Sequence, residues 1–291
     1  MGAGLSCLAT DDQKSAINTP SKLGLGDLPE SCIALILSRL NPSDICRAAR
    51  VNRTFRRASL SDHAWETKLP ENHQILLQKL FISCNNNNIN PQVLSYKETY
   101  ARLSSPIRFA ADTKEVWLDE GRGGISVAIS WKGMKITGVD DRRYWTHIST
   151  HESRFQTIAY LQQIWWLEIE GDLEFEFPVG TYSVFFRLHL GRASSSKAPS
   201  GRPITYNGEK IHGWDIKPVK FQLESSSDGQ HSVSHRFLDE HGKWVHHHVG
   251  DFVVEDSNSP TRLKFSMTQI DCTHTKGGLC FDSVFIFPCR R

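Results

Sequence analysis

Apolar residues recur at helical spacing through the first hundred positions and at every second position from about Phe109 onward, so the chain changes period once. Asp27 is placed to cap a helix, with Pro29 in the first turn and Glu30 three residues on. Ile33, Ile36, Leu37 and Leu40 then fall at i, i+3, i+4 and i+7. Asn41-Pro42 ends that helix and starts a second carrying Ile45, Ala48 and Ala49. A third piece runs through Phe55 and Leu60, and Asp62 is placed to cap a fourth that holds Trp65 and Leu69. Ile75, Leu76, Leu77, Leu80 and Phe81 predict a short helix before a polar run at Asn85 to Asn88. Val93, Tyr96, Tyr100 and Leu103 predict another, closed by Ser104-Ser105-Pro106.

In the second half Ile125, Val127, Ile129 and Trp131 alternate with polar or small residues. So do Leu173, Phe175 and Phe177; Tyr182, Val184, Phe186, Leu188 and Leu190; Val219, Phe221 and Leu223; and Leu263, Phe265 and Met267. Turn chemistry separates these strands at Gly121 to Gly124, Pro178-Val179-Gly180, Asp228-Gly229 and His241-Gly242. A single helix is expected near Ser153 to Gln163, and Gly191 to Pro203 has the composition of a loop. The pattern predicts an α+β chain of two domains, a small all-α segment followed by an antiparallel, jelly-roll-like β-sandwich.

Four short helices between Leu23 and Pro70 cannot enclose a sufficient core, because so small a unit buries too little of its surface. The leftover apolar side chains call for a partner, either the rest of this chain or another polypeptide. Leu28-Pro29-Glu30, Ile33, Ile36-Leu37, Leu40, Pro42, Asp44-Ile45, Val51-Asn52, Phe55, Asp62 and Trp65 resemble an F-box without a gap. That resemblance implies docking on a Skp-type adaptor, and through it on a cullin, with the remainder of the chain as substrate receptor of an SCF ubiquitin ligase. Leu28, Pro29, Ile33, Ile36, Leu37, Leu40, Val51 and Trp65 are the candidate adaptor-binding side chains, as helix anchors in an apolar groove. Arg39, Arg47, Arg50, Arg53, Arg56 and Arg57 read as a solvated helix face, since no aromatic residues are interleaved to stack on bases and no nucleic-acid partner is expected.

Tyr144-Trp145, Trp165 to Gly171, Thr181 to Val184 and Lys276-Gly277-Gly278-Leu279 to Phe287-Pro288 resemble the phloem protein 2-like, Nictaba-related lectins. The expected organisation is a leader at 1–22, the F-box at 23–70, a helical connector at 71–106 and the lectin-like sandwich at 107–291. The resemblance implies N-acetylglucosamine-type glycans as ligands and a seven-residue tryptophan pair as their support. Aligning Ile136-Thr137-Gly138 through Tyr144-Trp145 with that pair leaves Trp145 and puts Gly138 where the first tryptophan would stand. A sugar site needs aromatic faces for the C–H side of a pyranose and a few polar groups for its hydroxyls. Tyr144, Trp145 and Trp131 are the candidates, whereas Trp166 and Trp244 are expected to pack internally.

With 39% hydrophobic and 23% charged residues and a net charge of +2, the composition is ordinary for a globular chain and selects no polyanionic partner. No stretch is long and apolar enough to predict a membrane span. The seven cysteines, odd in number and without a C-x-x-C pair, suit reduced thiols in the cytoplasm and nucleus. Met1 to Ser6 matches the M-G-x-x-x-[ST] myristoylation template at Gly2, and Cys7 offers a second acyl site. A membrane contact is expected only if these are acylated; the same start also arises by chance. His231, His235, His241, His246, His247 and His248 invite a metal, but successive strand residues point to opposite faces, so no metal or other cofactor is expected. No nucleophile elbow, phosphate loop or zinc-protease helix is present. Glu168, Glu170, Asp172, Glu174 and Glu176 have the spacing of a strand's solvent face. The expected function is therefore that of a non-catalytic receptor subunit for a protein or glycoprotein target, against the alternative of a lectin acting without the ligase.

Overall fold

Prolines and capping side chains cut the first stretch of chain into short helices. In the computed structural model, which describes residues 24–83, 94–191, 211–226 and 229–289, these are α1 (Glu30–Leu37), α2 (Pro42–Ala48), α3 (Arg53–Ala58) and α4 (Asp62–Trp65). Pro42 sits at the first position of α2, where its missing N–H is not needed. Asn52 caps α3 by accepting the Phe55 amide at 2.8 Å. Asp27 does not cap α1. Its carboxylate instead accepts the Gly24 amide at 2.8 Å within a 3₁₀ turn of its own, and Pro29 stands at the N-cap. Ile33, Ala34 and Leu37 are buried along α1, which packs on α3.

The chain divides into two compact units, Met1–Ala64 and Trp65–Arg291. The second begins with the connector helices α5 (His73–Ser83) and α6 (Tyr96–Ser104), the latter opened by a reciprocal capping box of Ser95 and Glu98. The connector is bonded to the sheet domain that follows it. The Asn72 side-chain amide donates to the carbonyls of Glu176 and Ser257, both at 3.1 Å, and Lys79 pairs with the Glu176 carboxylate. The Tyr100 hydroxyl donates to Glu120, and the Trp65 ring lies 5.2 Å from that of Tyr100.

Among the described residues thirteen strands follow: β1 (Ile107–Phe109), β2 (Lys114–Asp119), β3 (Gly124–Ser130), β4 (Lys135–Ile136), β5 (Trp145–Ser149), β6 (Thr157–Leu161), β7 (Leu167–Phe175), β8 (Gly180–Leu190), β9 (Val219–Ser225), β10 (His231–Arg236), β11 (Trp244–Val254), β12 (Thr261–Gln269) and β13 (Leu279–Pro288). All pair antiparallel. The larger sheet is built around β13, which has β8 and then β11 on one side; on the other, its first half meets β6 and its second half meets β3. The smaller sheet runs β10-β9-β12-β7-β4. Phe186 of β8 reaches across to Phe221 and Phe265, with ring centroids 5.7 and 6.3 Å away, so the sheets face one another over an aromatic core.

The helix expected near residues 153–163 is instead β6. Four of its five side chains are buried, and a strand covered on both faces shows no alternation to mark it. The 191–203 loop lies outside the described residues apart from Gly191, as do Gly2 and Cys7.

Candidate functional site

In the first unit α1 carries five apolar residues in a row, Ile33 to Leu37, too many for a single face. Ile33 and Leu37 take the inward positions and have no solvent-accessible surface, which leaves Leu35 and Ile36 in water at 63% and 43% exposure. The structure thus sorts the expected adaptor-binding residues. Leu28, Pro29, Ile36 and Val51 are exposed and Leu40 is half-buried. As a correction, Ile33, Leu37 and Trp65 are core side chains and present no docking surface. Leu25, Leu35 and Leu60 are exposed too and were not singled out from the sequence. Leu35 had a legible signal, being the apolar residue that breaks the i, i+3, i+4 pattern. The six arginines of this unit are all exposed, and Arg47 pairs with Asp44 at 2.8 Å.

The expected sugar site is rearranged more deeply. Trp145 starts β5 with its ring buried and its indole N–H donated to the Thr137 carbonyl at 3.0 Å. Trp131 is buried as well, donates to the Thr157 carbonyl at 3.2 Å and lies 4.3 Å from the His147 ring. Neither offers a free face, so both are corrected to structural roles. Tyr144 is half-buried, with the Arg143 guanidinium 5.4 Å over its ring. Gly138 has φ +66°, and a Cβ there would meet the Tyr144 ring at 3.0 Å, so this backbone does not hold the tryptophan of the expected pair.

All eight tryptophans are described, and six are committed to neighbours. Trp65 packs on Tyr100, Trp117 lies under Arg154, and the indole N–H groups of Trp131, Trp145, Trp214 and Trp244 are all hydrogen-bonded. Trp165 and Trp166 are the exception, at 53% and 44% exposure on the loop that enters β7. Internal packing was expected for Trp166. Its place before the strand begins frees it from the inward-outward alternation that would have buried it.

The histidine run behaves as strand geometry requires. His246 and His248 contact Phe185 on the outer face of the larger sheet, while His247 points inward and stacks on Phe221 at 9° and 5.9 Å. Burial holds His247 down to about 4, Glu240 opposing the shift. Among the described residues no three His, Cys, Asp or Glu side chains come together as a metal site. The Ser183 hydroxyl donates to Asp251 at 2.5 Å and His248 bonds the same oxygen at 2.7 Å. The serine is therefore bonded to a carboxylate rather than to the imidazole that would activate it. A cleft of about 1580 Å³ in the second unit is lined by residues 67–71, the turn at 120–124 and residues 178–182. It mixes Glu71, Glu120, Arg122 and Glu255 with glycines and valines and converges on no single chemistry.

Residues 25–69 match the F-box-like family model and residues 124–288 match that of phloem protein 2. The F-box protein PP2-A13 of Arabidopsis thaliana is 52% identical over 289 residues, covering 99% of this chain and 96% of the relative. PP2-A12 of the same plant is 53% identical over 268 residues, covering 92% and 88%. Among solved structures, TmCBM61 in complex with β-1,4-galactotriose matches 54% of this chain and 90% of its own at 15% identity. The TM-score of that match is 0.31. The two models fall on the two periodicities of the sequence, and the full-length relatives carry both in the same order: the chain belongs to the plant F-box proteins with a phloem protein 2 domain.

Proposed function

We propose that this chain is the substrate-recognition subunit of an SCF-type ubiquitin ligase, its F-box seated on a Skp-type adaptor and through it on a cullin, its β unit holding the protein to be modified. The observation that carries this reading is the set of exposed aliphatic side chains in the first unit, Leu25, Leu28, Leu35, Ile36, Val51 and Leu60. Returning a single such side chain from water to an apolar groove is worth about 1.5–3 kcal/mol, which is the driving force a docking face needs. The chain contributes no chemistry of its own here. It raises the concentration of target near the ligase's transfer machinery, an effect that depends on the two ends being joined.

The target is proposed to be a protein or glycoprotein of the cytoplasm or nucleus, and membrane contact requires acylation at Gly2 and Cys7. Mixing the purified full chain with a recombinant Skp-type adaptor tests the central step. A stable one-to-one complex on size-exclusion chromatography is expected, and two separate peaks at micromolar concentrations would contradict it.

A further inference from the structure

β10 closes one side of the smaller sheet, and among the described residues only β9 pairs with it. The Ser225 amide donates to the Gln230 carbonyl at 3.0 Å, which fixes the phase of the ladder that follows. Antiparallel pairs alternate, so Ser232, Ser234 and Arg236 direct their backbone groups at β9, and His231, Val233 and His235 direct theirs away from it. Nothing among the described residues meets those outward amides and carbonyls, and all three residues are exposed.

The strand is held from behind. Ser232 and Ser234 lie opposite the buried Leu223 and Phe221 of β9 and so face inward, toward β11. The Ser232 hydroxyl donates to the Val249 carbonyl at 3.2 Å, and a Cβ on Gly250 would stand 2.7 Å from that of Ser232. Small residues thus let β10 rest on the other sheet while its outer edge stays open. The other edges of the two sheets are blunted. β1 and β4 have three and two residues, β11 is bulged between His248 and Gly250, and β5 carries no large exposed apolar side chain. β10 pairs over six residues in unbroken register, without proline or lysine. Val233 on its outer face and Phe237 just past its end are 41% and 51% exposed.

A row of outward amides and carbonyls at strand spacing is completed by another extended backbone. β10 carries no carboxylate. Arg236, and Lys220 opposite His235 on β9, make one end of this edge basic, while Glu224 lies 3.9 Å from His231 at the other. A second copy of β10 would set histidine and arginine against each other with no opposite charge, so the charges select a different chain. We propose that β10 takes up an extended segment of the target polypeptide as an added strand, with an apolar side chain against Val233 and a carboxylate at the basic end. The assignment rests on the receptor reading of the β unit and names the edge by which that unit holds its target.

Fluorescence anisotropy of the full chain with a labelled nonapeptide, valine alternating with threonine between terminal aspartates, tests it. Saturable binding is expected, with a loss of ten-fold or more when every central amide of the peptide is N-methylated. Val233→Pro removes an N–H that points away from β9, so it should keep its thermal midpoint within a few degrees and lose as much. Val233→Ala keeps that N–H and should lose only a few-fold, as should a peptide ending in lysines. Wild-type affinity for the methylated peptide would overturn the added strand even if Val233→Pro failed to fold, and so would unchanged binding in a folded Val233→Pro. No binding of the aspartate peptide to the wild type would overturn it too. A wild-type dimer in sedimentation that Val233→Pro turns into a monomer would assign the edge to a second copy instead. The adaptor complex, formed on the same samples, separates these failures from failure of the receptor reading, because the F-box is unaltered in every variant.

Discussion

The helical unit exposes aliphatic side chains spread over its helices and turns, while the β unit places two tryptophans side by side on a loop anchored by the Lys276 ammonium. Leucine, isoleucine and valine offer area without direction, and spread over several elements they suit the groove of another folded protein. Indole rings offer flat faces, and the loop that carries these two is held through the Trp165 backbone carbonyl. The two patches therefore differ in the kind of surface they offer a partner. The cores beneath them differ too: hydrophobic side chains support the first patch, whereas the second rests on a hydrogen-bonded cation.

The largest effect expected from breaking this contrast is in the packing. Trp65→Ala removes a buried ring that lies against Tyr100 and should cost about 3–5 kcal/mol in urea unfolding, without any surface group having changed. Lys276→Met comes next. It leaves three buried carbonyls without donors and should cost about 2–4 kcal/mol, with faster amide exchange confined to the loops it joins.

A pH titration separates the two kinds of core further. His247 titrates near 4 in the folded chain because it is buried, against about 6.5 when unfolded. Between those values the unfolded chain binds a proton that the folded chain refuses. Stability is therefore full above about 6.5 and is lost as the pH falls toward 4, by up to about 3 kcal/mol. His189 and His246 are lowered by burial as well and act in the same direction. His247→Phe, which preserves the stack on Phe221, should flatten that slope without abolishing it; an unchanged slope would show that the imidazole does not titrate there. Smallest is Asn72→Ala, which frees two carbonyls that tie the connector to the sandwich and should cost about 1–2 kcal/mol with no change in adaptor affinity.

What the sequence showed plainly was whatever proline, capping residues and alternation announce. Pro42 and Asn52 cut the helices where they are observed, and β12 shows its alternation in the burial of Leu263, Phe265 and Met267. β6 and β13 show no alternation in the sequence, because both are covered on both faces and their apolar runs carry no period. The sites followed the same division. In α1 Leu35 stands off the i, i+3, i+4 stripe, but nothing in the stripe itself says that Ile36 is the member left in water. Trp145 and Trp166 changed places for a related reason. Trp145 ends at the start of a buried strand with its indole N–H on the Thr137 carbonyl, whereas Trp166 ends on the loop before β7, and neither placement is marked by the residues beside them in sequence.

The measurement closest to the central claim is the affinity of the full chain for a recombinant Skp-type adaptor, compared between the Ile36→Asp, Val51→Asp double variant and the Ile33→Val core variant. Both substituted surface side chains are exposed, so the double variant should keep its thermal midpoint and lose adaptor affinity by 100-fold or more, about 3 kcal/mol. Ile33→Val should lose about 1 kcal/mol of stability and keep its affinity. A double variant that binds the adaptor as tightly as the wild type would show that the exposed aliphatic face is not where the ligase is held.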